Sequence, residues 1–293
     1  MIAEERMDYA VSLEEHMLKR GYSHKTFLSY LYCLKRLIKF TGKDPYDMTY
    51  DDVHNFQVNY KKNFNDAYAT YRLTCCGIRF FFQNVLIRDW IVECVPYPKT
   101  QKKNPVILSR CELILLIKYA PSDKIRLFML IAYSTGMRMM EIRHLRVNNI
   151  DSKRGCFSIN HTKGKKGREI KLDKYLLIEL RKYYRKHKLS ATSLLIWGKD
   201  KSTPMDDSRI QRLVKKAGQD AGINKKVSPH CLRHSFATHF LEYGNTIKKL
   251  QHALGHKHIS TTFTYIHYAE EHFSEYRSPL SELVAFAYSE ASK

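Results

Sequence analysis

The sequence predicts a mainly α fold with a small β-sheet (α+β), divided into two parts. Three observations carry this reading. Apolar residues recur at helical spacing along most of the chain, as in Leu31, Leu34, Leu37 and Ile38. One short stretch alternates apolar and polar residues on either side of a basic turn. A single segment, Pro96 to Pro105, breaks the pattern with three prolines, three lysines and no acid.

The elements follow in order. Residues 9–20 read as a helix with Leu13, Met17 and Leu18 near one face. Ser23 is the N-cap of a helix running to about Phe40. Its apolar stripe is Leu28, Leu31, Leu34, Leu37 and Ile38, and Lys25, Ser29, Lys35, Arg36 and Lys39 lie largely off it. Asp51 and Asp52 open a short helix to about Lys62, and residues 66–87 form another, whose closing run Phe80, Phe81, Phe82 reads as core packing. Residues 1–95 thus make a bundle of four or five helices. Residues 96–106 form a basic, extended linker, suited to wrapping a rod-shaped polyanion or to serving as a plain tether. In the second part, 107–293, Ser109 to Ala120 and Asp123 to Ser134 read as helices. Thr135-Gly136 breaks the second, and a helix resumes from Met137 to Leu145. Phe157 and Ile159, then Ile170 and Leu172, frame a β-hairpin whose turn is Thr162-Lys-Gly-Lys-Lys-Gly167. The rest is mostly helical.

Charge narrows the function. The 293 residues carry a net charge of +21. Residues 1–95 contribute +1 and residues 96–293 contribute +20, so the excess sits in the second part. An excess of that size calls for a polyanion, nucleic acid before an anionic membrane. Apolar runs are short, Leu113 to Ile117 being typical, which excludes a membrane span. Glu4, Glu5, Asp8, Glu14 and Glu15 are the wrong charge for a signal or transit peptide. Seven cysteines without a CxxC pair indicate neither a disulfide framework nor a zinc ribbon. The expectation is a reduced, cytoplasmic, DNA-associated protein with no cofactor and no bound metal.

Chemistry concentrates in the second part. Ser228-Pro229 starts a helix and places His230 and Arg233 in its first turn, three residues apart on one face. A helix N-terminus already favours anions, so a His and an Arg added there suit a phosphate. Ile247, Leu250 and Leu254 form an apolar face that stops at Gly255, and His256 follows. Eight of the 14 histidines lie within 230–272. This invites a zinc reading through His252, His256 and His258, but the spacing fits no common zinc signature.

The combination is more specific than its parts. Thr135-Gly-Met-Arg138-Met-Met-Glu141, Lys163 in Thr-Lys-Gly-Lys-Lys-Gly-Arg168, Pro229-His230-Cys-Leu-Arg233-His-Ser-Phe-Ala-Thr-His239, Leu254-Gly-His256 and Thr261-Thr-Phe-Thr-Tyr265-Ile-His267 stand in that order. Arg233 to His256 spans 23 residues and His256 to Tyr265 spans 9. Together these resemble the tyrosine recombinase (phage integrase) family, in particular its Xer-like and integron-integrase-like members, over roughly residues 105–270. Tyr22-Ser23…Thr26 and Ile78-Arg79-Phe80-Phe81 are similar, more weakly, to that family's SAM-like core-binding domain.

The resemblance implies roles. Tyr265 is the expected nucleophile, and Arg138 and Arg233 clamp the scissile phosphate. Lys163 donates a proton to the leaving 5′ oxygen. His230 assists proton transfer, His256 hydrogen-bonds the phosphate, and Glu141 gives structural support. Thr162 stands where the family often has Gly before the Lys. DNA contacts are expected from Lys25, Ser29, Arg79, Lys165, Lys166 and Arg168.

The residue types suit phosphoryl transfer on their own terms. Two guanidiniums offer forked donors to non-bridging oxygens and stay charged at any working pH. A phenol with a pKa near ~10 needs help to attack at pH 7, and nearby cations should supply it. Attack by a side chain keeps the bond energy in a 3′-phosphotyrosine, so rejoining needs no ATP. One Tyr per chain cuts one strand, and four strands imply four subunits on two duplex sites. Ser278-Pro279 starts a tail helix, 278–293, with Leu280, Leu283, Val284 and Ala287 on one face. The resemblance implies that it docks on a neighbouring subunit in a homo-tetramer, against packing on its own domain. Accessory DNA-bending or directionality proteins are expected partners. The rival readings are a type IB topoisomerase-like relaxase, a non-catalytic DNA-binding accessory protein and a zinc-binding regulator.

Overall fold

A computed structural model describes residues 8–63, 67–99, 104–159 and 167–270. Lys163, Lys165, Lys166 and the tail 278–293 lie outside the described residues. The chain divides into two compact units, 1–102 and 103–293.

The first unit is all helical: α1 (Tyr9–Lys19), α2 (His24–Thr41), α3 (Tyr50–Asn63), α4 (Tyr68–Asn84) and α5 (Ile91–Cys94). Ser23 caps α2, its hydroxyl accepting the Thr26 N–H at 3.2 Å. α2 packs on α4, and Leu13, Met17, Leu34, Leu37, Phe56, Ile78, Phe81 and Phe82 close the core. Each such side chain contributes about 1.5–3 kcal/mol on burial. Leu28 does not join its expected stripe, since it is 50% exposed and Phe27 is buried instead. At 100° per residue the inward face passes through 27, 34 and 37, and 28 lies a quarter-turn away. Arg36 is buried too, with its guanidinium 5.7 Å over the Tyr32 ring and 5.2 Å over Tyr60.

The second unit opens with α6 (Arg110–Lys118), α7 (Asp123–Thr135) and α8 (Met139–Arg143). Ser109 and Glu112 form a capping box at the start of α6. An antiparallel sheet follows, ordered β1 (Ile150–Asp151), β2 (Cys156–Ile159), β3 (Arg168–Lys171), with Phe157 paired to Ile170. β1 has two residues, too few for alternation to mark it in the sequence. Then come α9 (Lys174–His187), α10 (Asp207–Asp220), α11 (Pro229–Glu242), α12 (Ile247–Leu254) and α13 (Ser260–Glu270).

α11 is the axis of this unit. It packs against α7, α10, α12 and α13, and ten of its 14 residues are buried. A helix enclosed on all sides has no polar face to solvent. Two of its buried polar side chains are bonded internally: Ser235 Oγ accepts the Leu108 N–H at 2.8 Å, and His239 Nδ1 lies 2.9 Å from Tyr133 Oη. Pro229 takes the first helical position as expected, but the Ser228 hydroxyl makes no capping bond and sits 3.2 Å from Cys231 Sγ. Among the described residues no helix is long and apolar enough to cross a membrane.

Candidate active site

Two helix ends build the site. α7 stops at Gly136, whose φ of +64° is left-handed. A Cβ there would also overlap the Phe236 ring and Leu254, so the position needs glycine for both conformation and space. The chain turns and Arg138 becomes the N-cap of α8, where the Glu141 carboxylate accepts its backbone N–H at 2.8 Å. α12 stops at Gly255, with φ +61°, and hands on to His256. The carbonyls released at these two ends point at the arginines.

Arg233, on α11, is 6% exposed. Its Nη1 donates to Gly136 O at 2.6 Å, and its Nη2 donates to Leu254 O and to His256 Nε2, both at 2.9 Å. Arg138 Nη2 donates to Gly255 O at 3.3 Å. The negative end of the α12 dipole thus faces two cations, which is its favourable sense. Burial, then the charge of Arg138, pushes Arg233 down to about 10, and it remains cationic at neutral pH.

The histidine protons follow from their partners. His256 Nε2 accepts from Arg233, so its proton is on Nδ1, which donates to Thr262 Oγ1 at 2.9 Å. Burial, then Arg233, Arg138 and Arg168, pushes its pKa down to about 4, so the ring is neutral. His230 is exposed at the start of α11, beside a hollow of about 230 Å³ lined by Gln211, Lys215 and Lys226.

Tyr265, on α13, is 5% exposed, and its ring lies nearly parallel to that of His256, 13° apart at 6.5 Å between centroids. Its hydroxyl is 2.9 Å from His234 Nδ1. Burial raises its pKa above the ordinary phenol value, and the Arg233 and Arg138 cations only partly oppose it. The expected net easing of ionisation by nearby cations is therefore not found, because burial outweighs it.

Glu141 binds a third arginine. Its Oε1 and Oε2 each lie 2.9 Å from a nitrogen of Arg168 on β3. Burial raises the Glu141 pKa, but the Arg138 amide and Arg168 outweigh it and hold the carboxyl below the usual range. Arg168, expected at the DNA, is thus held inside the unit, packed so closely on Gly255 that a Cβ there would fall 2.7 Å from its Cζ. Arg79 is also engaged within its own unit, 4.1 Å over the Tyr97 ring with Nη1 donating to Val95 O at 3.2 Å. Lys25 is exposed, and the Ser29 hydroxyl donates to its carbonyl at 3.0 Å.

The structure therefore brings Arg138, Glu141, Arg233, His256 and Tyr265 together from four segments, with His230 one turn before His234 on α11. His234 is the residue sequence reasoning missed. It stands four after His230, on the same helical face, and that spacing was the available signal. Among the described residues no three His, Cys, Asp or Glu side chains are grouped to hold a metal ion. Elsewhere in the unit an apolar groove of about 400 Å³ runs between α7, α9 and α11, lined by Leu130, Tyr133, Leu176, Phe236, Phe240 and Tyr243.

Comparison with known proteins decides the family. The profile of the phage integrase family matches residues 108–272, and that of the phage integrase N-terminal SAM-like domain matches 11–92. The chain belongs to the phage integrase family. It is a tyrosine-type recombinase of the Xer-like kind. Tyrosine recombinase XerA of Pyrococcus furiosus is 31% identical over 87% of this chain and 87% of its own. The putative integrase/recombinase y4qK of Sinorhizobium fredii is 31% identical over 92% of this chain and 88% of its own. Among solved structures, XerA recombinase matches with 26% identity and a TM-score of 0.52, covering 95% of this chain and 97% of that one. A lambda integrase dimer bound to a COC′ core site matches in fold, with 19% identity and a TM-score of 0.71, over 92% and 97% of the two chains.

Proposed function

We propose that this recombinase cuts and rejoins duplex DNA at specific sites through a 3′-phosphotyrosine at Tyr265, without metal or ATP. The observation that carries the reading is the cluster itself: one buried phenol beside two guanidiniums and two imidazoles, Arg138, Arg233, His234 and His256. Arg138 and Arg233 clamp the non-bridging oxygens of the scissile phosphate. Both are anchored before substrate arrives, and preorganised charge of this kind is usually the largest catalytic contribution. Tyr265 Oη attacks phosphorus, the P–O5′ bond breaks, and Lys163 protonates the departing oxygen. His230 and its flanking Lys215 and Lys226 face the DNA backbone, and His256 bonds the phosphate. Lys25, Lys165 and Lys166 add backbone contacts. The duplex-bound state of the lambda integrase relative supports DNA as the partner.

Exchange of two duplexes takes four cuts, hence four subunits. The apolar groove between α7, α9 and α11 supports a tetramer in which it receives the apolar face of the 278–293 tail from a neighbour. Accessory proteins that bend DNA or set direction complete the partner set.

The experiment is to mix the protein with a nicked duplex from the DNA flanking its own gene, in EDTA, and look for an SDS-stable adduct. The expected result is an adduct that survives EDTA and is lost in Tyr265→Phe. No adduct on DNA that the protein binds would point to an accessory DNA-binding role. Strand exchange between two labelled duplexes then separates a recombinase from a topoisomerase-like relaxase.

A further inference from the structure

The resemblance gives assistance in proton transfer to His230, yet the described contacts offer the phenol proton no path to it. His230 is exposed, and no contact joins it to Tyr265. His256 has both nitrogens engaged, by Arg233 and by Thr262. The arginines can only donate. Among the described residues, the group that meets the reacting oxygen with an acceptor nitrogen is His234, whose Nδ1 lies 2.9 Å from Tyr265 Oη.

We propose that His234 is the general base for Tyr265, taking the phenol proton on Nδ1 as the oxygen attacks phosphorus. This rests on the phosphotyrosine reading and adds a catalytic residue to it. The balance is complete. The Tyr265 O–H bond breaks and a bond to His234 Nδ1 forms, while the Oη–P bond forms, the P–O5′ bond breaks, and the leaving oxygen gains a proton from Lys163. In rejoining, the 5′-OH gives its proton back to the neutral Lys163 amine as its oxygen attacks; the P–O5′ bond forms, the Oη–P bond breaks, and the His234 imidazolium returns its proton to the Tyr265 oxygen.

The surroundings fit this role. In the tautomer that carries the ring proton on Nε2, His234 Nδ1 is the acceptor and the phenol donates to it. The titratable and charged groups that face the ring are His230 and Arg233 on α11 and Tyr265 on α13. Burial, then His230 and Arg233, pushes His234 down to about 4, so the ring is neutral at pH 7 and one of its nitrogens can accept a proton. A phosphate between the arginines cancels part of their charge and raises the proton affinity of His234 when the proton must move. His234 also sits one residue after Arg233 on one rigid helix, so the base and the clamp are positioned together.

The test measures single-turnover adduct formation on the nicked duplex with an ordinary phosphodiester and with a bridging 5′-sulfur at the scissile position. A thiolate leaves without a proton, so the sulfur substrate bypasses the general acid. His234→Ala removes the acceptor. His234→Asn keeps an acceptor near the Nδ1 position but cannot carry a proton. Both should slow adduct formation by about 10²-fold or more, the usual range for a general base, on both substrates. Lys163→Ala should be slow on the oxygen substrate and restored on the sulfur one. Thermal melts check that each variant is folded. His234→Asn within about threefold of wild type would overturn the assignment, because the contact would then be positional. Restoration of His234→Ala by sulfur would also overturn it, placing His234 on the leaving-group side. If the wild type forms no adduct on either substrate, the phosphotyrosine reading falls, and this assignment with it.

Discussion

The carboxylate of Glu141 grips the guanidinium of Arg168 with both oxygens, at 2.9 Å each. The same carboxylate accepts the backbone N–H of Arg138. One acid therefore ties strand β3 to the turn that carries Arg138. Removing one partner of such a pair leaves a buried charge uncompensated, which costs about 3–5 kcal/mol. Glu141→Ala should lose stability on that scale in denaturant melts, and Glu141→Gln with Arg168→Gln should recover part of it. A loss below about 1 kcal/mol for Glu141→Ala would mean that the pair is solvated. Because the folded carboxyl lies below its ordinary value, its contribution is present above that range and is lost as pH falls through the folded value. Glu141→Gln should flatten this acid limb.

The hairpin strands, the helix starts and the residues that gather at the site were legible in the sequence, because each rests on a local signal. Ser23, Ser109 and Pro229 mark helix starts by their own chemistry, and Arg138, Arg233, His256 and Tyr265 stand at readable spacings. What was not legible depends on contacts distant in the chain. Leu28 and Phe27 are equally apolar, and only the packing of α2 on α4 selects between them. Arg168 reads as a basic turn residue until Glu141, 27 positions earlier, is seen beside it. His234 is one histidine among many until the fold sets Tyr265, 31 positions later, against its ring.

His256 should make stability depend on pH near neutrality. Its folded pKa, about 4, lies below the ordinary 6.5, so the unfolded chain takes up the proton first. Stability therefore falls as pH drops from about 6.5 towards 4, and His256→Asn should reduce that slope in thermal melts. If His256 bonds the phosphate as proposed, its Nε2 lone pair must gain a proton to donate. DNA binding should accordingly take up protons in the same window and tighten as pH falls, an effect that His256→Asn removes in titrations at several pH values.

Gly255→Ala should damage stability and cleavage together. The left-handed backbone alone costs of order 1–3 kcal/mol for a side chain. The added methyl also meets the Arg168 guanidinium, which is held by Glu141 and cannot retreat freely. Melts and adduct assays on one preparation test this; wild-type behaviour in both would show that the α12 end can relax.

Arg233→Lys should lower the rate of adduct formation by at least ~10²-fold while leaving DNA binding largely intact. An ammonium cannot reach Gly136 O, Leu254 O and His256 Nε2 from one planar fork and still face a phosphate. Retention of more than a tenth of the wild-type rate would show that charge alone suffices.

If the apolar groove receives a neighbour's tail, Phe240→Asp and truncation after residue 277 should have matching effects. Both should form the tyrosine adduct on a nicked duplex yet lose exchange between two labelled duplexes. Full exchange by Phe240→Asp would place the subunit contact elsewhere.

The acceptors that hold Arg138 and Arg233 include three main-chain oxygens, those of Gly136, Leu254 and Gly255. Side-chain replacement cannot delete a carbonyl. The clamp is therefore insulated from most point mutations around it and is vulnerable chiefly to those that bend the backbone. Such a site can drift far in sequence while its charge stays in place, leaving the outward surface free to acquire new DNA targets without rebuilding the chemistry.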